Sequence, residues 1–238
     1  GSLLSGSDDW LTLGFRAAAG AFLAWALGRE LDPDDAVSAG IAAPLGALGV
    51  LVGPPDLVSA AGALMALRVV IRPTGHRPTI VDEVVLVGLG AFLGWRIGTW
   101  PALLGLAIAV AWDGLLPHRA GRRTYVVSLF VIVAGMLTAL GLGEPDWEWI
   151  APTVGELVVL GIGVVGAVVA YSTEHPTSVG DLTGEPLNRQ RLHMGRILGA
   201  GMALAAFAWL GGPGIVGAIT LWAAFVGTAA SRFRSEER

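Results

Sequence analysis

The sequence predicts an all-α protein, a polytopic integral membrane helical bundle of about nine transmembrane helices. Three observations predict it. The chain of 238 residues is 54% hydrophobic and 14% charged, with a mean hydropathy of +0.67, whereas a soluble domain averages about 25% charged residues. The charges gather in short clusters between long apolar runs, which is the pattern of membrane spans and their connections. Twelve of the 15 arginines also gather in one set of alternate connections, while the other set carries acids without arginine.

The apolar runs place helices at about 10–28, 36–53, 57–73, 80–98, 101–117, 124–142, 150–172, 194–210 and 213–231. Several are near the short end of the spanning range, which fits shallow tilt or a thin bilayer. Gly53-Pro-Pro-Asp56, Gly98 to Pro101, Gly143-Glu-Pro145 and Gly211-Gly-Pro-Gly214 each stop one helix and start the next. Glycine admits a left-handed cap and proline suits a first turn. Pro44 falls inside the second helix and should kink it. Gly1-Ser2 reads as a tag remnant and is set aside. The rest is one transmembrane domain over 1–238, whose longest loop is 172–196.

The four Gly/Pro turns all fall on one side. The other side receives Arg29, Arg72, Arg77, Arg119, Arg122, Arg123, Arg189, Arg191, Arg196, Arg232, Arg234 and Arg238. The positive-inside rule makes that face cytoplasmic, which gives a cell-membrane protein with an external N-terminus and a cytoplasmic C-terminus. The opposite face carries Asp8, Asp9, Asp56 and the acidic run 144–149, with Trp100, Trp147 and Trp149 placed as interfacial anchors.

No cysteine is present, so disulfides, thiolate catalysis and Cys-ligated metals are excluded. No lysine is present either, which excludes Schiff-base chemistry and a P-loop lysine. No cofactor is evident. The partner this composition calls for is the lipid bilayer, and nothing in it calls for a nucleic acid.

Gly20-Ala-Phe-Leu-Ala-Trp-Ala-Leu-Gly28 in the first helix matches Gly90-Ala-Phe-Leu-Gly-Trp-Arg-Ile-Gly98 in the fourth at six of nine positions. The two helices run in opposite directions, so helices one to three and four to six read as candidate inverted repeats. Gly90, Gly94 and Gly98, and Gly195 with Gly199, are spaced for close helix approach, within the chain or between copies in a homo-oligomer.

The stretch from Arg68 to Arg123 concentrates the candidate chemistry. Counted outward from the Gly98–Pro101 turn, Asp82 lies roughly 25 Å along one limb and Asp113 roughly 20 Å along the other. Two carboxylates distant in sequence thus reach similar depth beside Arg68, Arg72 and His76. Asp35, Arg77, Glu83 and His118 join the same rim. Asp82, Glu83 and Asp113 are the candidate ligands for a divalent cation, and Arg68 and Arg72 for a phosphate or carboxylate. Asp82, Asp113, Arg68, Arg72 and His76 are the candidate catalytic set. The structural alternative is that charges simply flank membrane helices, with acids favoured in a first turn by the helix dipole. Asp35, Asp82 and Glu83 fit that account. Asp113 does not, because it lies near a helix C-terminus.

Arg72-Pro-Thr-Gly-His76 contains a Pro-Thr-Gly-His element that resembles the Pro-Ser-Gly-His motif of the type 2 phosphatidic acid phosphatases. That family also places a Lys and an Arg-Pro before the motif and a Ser-Arg with His and Asp after it. This chain has no lysine and no such later element. The resemblance is confined to a handful of residues and is not adopted.

A second constellation lies within the apolar runs: Arg16, Arg96 and Glu156. Arg16 and Glu156 each sit about six residues from the external end of a helix, roughly 9 Å deep, where charges usually pair or face a wet cavity. They are the expected intramembrane charge pair. The 172–196 loop, with His175, Asp181, Glu185, Arg189, Arg191 and His193, reads as a lid, a docking site or a solvated connector. The histidines lack His-x3-His spacing. Gly161-Ile-Gly-Val-Val-Gly166 matches a dinucleotide fingerprint in letters only, since no strand precedes it.

Three functions remain open from sequence: a small transporter or permease, a membrane enzyme acting on a phospho- or lipid substrate at the cytoplasmic leaflet, and a membrane scaffold or assembly subunit.

Overall fold

The computed structural model describes residues 7–117, 121–142, 148–172 and 176–236. It is 78% helix, with no strand among the described residues. The helices are α1 (Ser7–Leu31), α2 (Ala36–Leu48), α3 (Leu57–Ile71), α4 (Ile80–Gly94), α5 (Trp100–Asp113), α6 (Arg123–Leu142), α7 (Val154–Tyr171), α8 (Arg189–Leu210), α9 (Gly212–Gly217) and α10 (Ile219–Glu236). Four of them, α1, α6, α7 and α8, are long and apolar enough to cross a membrane.

Local chemistry sets the ends. Asp35 caps α2 by accepting from the Val37 N–H, and Asp56 caps α3 by accepting from Val58 and Ser59. Thr79 with Asp82, and Thr153 with Glu156, form reciprocal capping boxes on α4 and α7. Asn188 caps α8, which therefore begins at Arg189, five residues before the apolar run at 194. The signal for that start is polar, so hydropathy misses it. α7 begins at Val154 and not at 150, because Ile150 bridges to Gly211 in extended form. The last apolar run is broken at Ala218 into α9 and α10. Pro44 lies inside α2. The Gly143–Pro145 turn, Trp147, His118 and His175 lie outside the described residues.

Contacts between loops show that the helix ends alternate between two faces. On the arginine-rich face, Leu31 meets Arg196, Asp34 meets Thr177, Arg72 meets Asp113, and Glu83 meets Arg123. On the opposite face, the Asp56 N–H donates to the Gly217 carbonyl and the Ile150 N–H to that of Leu210. Trp100 stacks on Trp209 there, with ring centroids 6.2 Å apart.

Glycines bring the helices together where no side chain would fit. Gly20 of α1 lies on the Gly46 backbone of α2, and Gly94 of α4 on Gly135 of α6. The nine-residue motifs shared by α1 and α4 thus both serve tight helix seams. Gly163 and Gly166 of α7 seat Trp222 and the Phe225 backbone of α10, which explains two glycines of the apparent fingerprint. The core runs through α3, α5 and α10, with Leu67, Leu103, Leu106, Trp222 and Phe225 buried. The outer surfaces of α6 and α7 are apolar instead, exposing Phe130, Leu137, Leu140, Val158, Val165 and Val168, as lipid-facing helices do.

Candidate functional site

A buried ion cluster ties three helices at the arginine-rich face. Asp113, the last residue of α5, is fully buried. Its Oδ2 accepts from Arg72 Nη2 at 2.6 Å and its Oδ1 from Arg191 Nη1 at 2.8 Å. Arg72 closes α3 in the left-handed region, φ 55° and ψ 63°, at a backbone cost of about 1–2 kcal/mol. Arg191 also donates to the carbonyls of Val70 and Pro117, at 2.9 and 2.8 Å. Two cations thus offset the unfavourable dipole at Asp113 and use both its oxygens, so the cluster is built as a clamp among α3, α5 and α8.

Beside the clamp lies a polar cavity of about 500 Å3 between α1, α3 and the 176–188 loop. Arg29, Glu30, Arg68, Ser178 and Asp181 line it. Arg68 Nε donates to Glu30 Oε1 at 2.8 Å, while Glu30 Oε2 is buried with no hydrogen-bond partner among the described residues. The loop forms the roof and is pinned at both sides. Asp34 accepts from the backbone N–H groups of Thr177 and Ser178 at 2.9 and 2.6 Å, and the Asp181 N–H donates to the Pro73 carbonyl at 3.0 Å. Burial pushes the Asp34 carboxyl up, but its hydrogen bonds from Ser178 and Thr177 outweigh that and hold it below the ordinary carboxylate range. At neighbouring Asp32, burial raises the carboxyl above its ordinary value against the pull of Arg232 and Arg196.

A smaller cavity, about 60 Å3, lies toward the other end of α3. Asp56, Ser59, Ala63, Met202, Ala203 and Thr220 are among its lining residues, and it borders the break at Ala218. Thr220 Oγ1 is buried there without a partner among the described residues.

The residues expected to form a site from sequence come together in part: Arg68, Arg72, His76 and Asp82 line one groove, without Asp113. Asp82 is exposed and committed to its capping box, so it does not join Asp113. Glu83 pairs with Arg123 at 2.7 Å. Arg68 pairs with Glu30 and not with Asp113. His76 is exposed, and with Arg68, Arg72, Arg77 and Asp82 it lines an open groove of about 500 Å3 between α3 and α4. Among the described residues, no three His, Asp or Glu side chains group so as to hold a metal ion. Arg16 and Glu156 do not form their expected pair among the described residues. Arg16 is exposed, and the Glu156 carboxylate accepts from its own N-cap, the Thr153 N–H, at 2.6 Å. Arg96 is also exposed, just past the end of α4.

Sequence reasoning missed Glu30 and Asp34, and placed Arg191 in the connecting loop without its tie to Asp113. Glu30 was legible: it is an acid in the last turn of α1, the same dipole conflict that marks Asp113. Arg191 was hidden by placing the start of α8 at the apolar run. Comparison of the chain with protein-family models, with curated proteins and with solved structures finds no match.

Proposed function

We propose that this protein is a small membrane transporter or permease that crosses the bilayer about nine times, with its N-terminus external and its arginine-rich face cytoplasmic. One observation carries the reading. α3 lines a cavity toward each of its ends, through Asp56, Ser59 and Ala63 on one side and Arg68 on the other. Leu64, Ala66 and Leu67 are buried between them. A polar space toward one face and a mainly apolar one toward the other, separated by a packed apolar barrier, fit alternating access around α3.

The break at Ala218 supports the same reading, since discontinuous helices are a recurrent feature of transporter sites. The matched motifs in α1 and α4 fit inverted three-helix units. The alternative enzyme reading keeps Arg68, Arg72, His76 and Asp82 along one open groove, while Asp113 is held by Arg72 and Arg191.

The test is flux in reconstituted vesicles, with labelled amino acids, sugars, nucleosides and organic acids as the panel. Wild type should carry at least one class, and Ala203→Trp, which fills the smaller cavity, should abolish that flux while the protein remains folded. Absence of flux for every class, or equal flux through a folded Ala203→Trp variant, would overturn the proposal.

A further inference from the structure

The geometry points to the cavity beneath the 176–188 loop as a binding site for a small zwitterion, a molecule with an ammonium and a carboxylate a few bonds apart, as in a free α-amino acid. The assignment rests on the transport reading for its purpose, though not for its chemistry.

Glu30 supplies the first argument. Its side chain is only 6% exposed and Arg68 occupies Oε1, yet Oε2 is buried and has no partner among the described residues. Buried carboxylate oxygens are normally satisfied. Glu30 lines a polar cavity whose volume falls within the range of small-molecule sites, with Oε2 itself buried beneath that surface. A donor that enters the cavity would satisfy it once the carboxylate turns toward that space. An ammonium fits best, because it brings three N–H donors and a positive charge, and Asp181 of the loop presents a second carboxylate to the same space. Trp25 adds an aromatic face to the wall, which also favours a cation.

Charge balance supplies the second argument. Arg29 and Arg68 face the cavity against Glu30 and Asp181, two cations against two anions. A simple amine would satisfy the carboxylates but bring no anion to Arg29, and would compete with Arg68 for Glu30. A phosphate or carboxylate alone would meet Glu30 and Asp181. A zwitterion of zero net charge meets both pairs, with its carboxylate on the arginine forks.

The roof supplies the third. Asp181 is on the loop, and its own backbone N–H is tied to Pro73. Asp34 anchors the adjacent Thr177 and Ser178. A ligand ammonium bridging Glu30 and Asp181 would join α1 to the loop and hold the roof closed.

The experiment uses the full chain in detergent and measures equilibrium dialysis together with thermal shift. The probes are serine, valine, leucine and phenylalanine, the amine that each yields on decarboxylation, and the corresponding 2-hydroxy acids. At least one amino acid should bind saturably, with its amine and hydroxy acid weaker by about ten-fold or more. Glu30→Gln and Asp181→Asn should each weaken it by a similar factor. Asp181→Asn, on an exposed loop position, keeps the test decisive should the Glu30 variant fail to fold. The inference is overturned if no amino acid binds, if an amine binds as tightly as its amino acid, or if folded Asp181→Asn binds like wild type. Water satisfying Oε2 would give the first of these results. Saturable binding without vesicle flux would support this site and remove the transport reading, and flux of another solute without zwitterion binding would do the reverse.

Discussion

Arg72 donates to Asp113 across 2.6 Å although 41 positions separate them in the chain. Neither residue suits its local position. Arg72 is in a left-handed conformation, and Asp113 opposes the dipole of its own helix. Asp113 is accommodated because Arg72 and Arg191 neutralise it out of water, and that ion pair offsets the backbone cost at Arg72.

Asp113→Asn should therefore destabilise the protein by about 3–5 kcal/mol, since it leaves Arg72 and Arg191 buried against a neutral group. Thermal unfolding in detergent, with and without Mg2+, measures this. The loss should be the same in both conditions. A Mg2+-induced rise in wild-type melting temperature that disappears in the variant would return this carboxylate to a metal site.

Arg16 and Glu156 should behave independently. Glu156→Gln should cost about 1 kcal/mol or less, because an amide still caps α7, and Arg16→Gln should cost little. A double-mutant cycle read by thermal unfolding should be additive within about 0.5 kcal/mol. Strong coupling would restore the pair expected from sequence.

The 176–188 loop should respond to acid through Asp34. Its carboxyl is held below the ordinary range, so the unfolded or undocked chain binds the proton more readily. The stabilisation is complete above the ordinary carboxylate value and is lost as pH falls through the depressed one. Limited proteolysis with an acid-stable protease should cut the loop slowly at mildly acidic pH and faster below that window. Asp34→Asn should give fast cleavage throughout, and a pH-independent rate in wild type would show that Asp34 does not hold the roof.

Glycine substitutions should divide by contact and not by helix propensity. Gly94→Ala places a methyl into the Gly135 backbone and should prevent α4 from seating on α6. Gly161 has open space around it, so Gly161→Ala should be neutral or stabilise by about 0.5–1 kcal/mol. Yield and melting temperature of the folded protein compare them, and equal behaviour would contradict the seam.

Orientation is testable because the chain has no cysteine. Leu51 and Leu182 are exposed at opposite faces. With the arginine-rich face cytoplasmic, Leu51→Cys should label with an impermeant thiol reagent in intact cells and Leu182→Cys only after permeabilisation. The inverse pattern would turn the molecule over.

Hydropathy and turn chemistry alone determined the helical class, most helix positions and the two-faced distribution of charge. Those features follow from short-range rules: which residues lipid accepts, and where Gly, Pro, Asp and Asn end or start a helix. The Asn188 cap shows the limit of apolar periodicity even locally, since it carried Arg191 from a presumed loop into a helix. Only the tertiary structure decided which charges meet. Asp82 and Asp113 reach similar depths along a hairpin, but depth does not specify the direction a side chain faces around a helix. Packing set that direction: glycine seams placed α4 against α6, α8 came beside α3 and α5, and Asp113 turned inward to Arg72 and Arg191 while Asp82 stayed outside on its cap. The same packing left Glu30 beneath a loop whose sequence lies far along the chain. A cavity closed by distant segments has no local signature, because its walls become neighbours only when the helices associate.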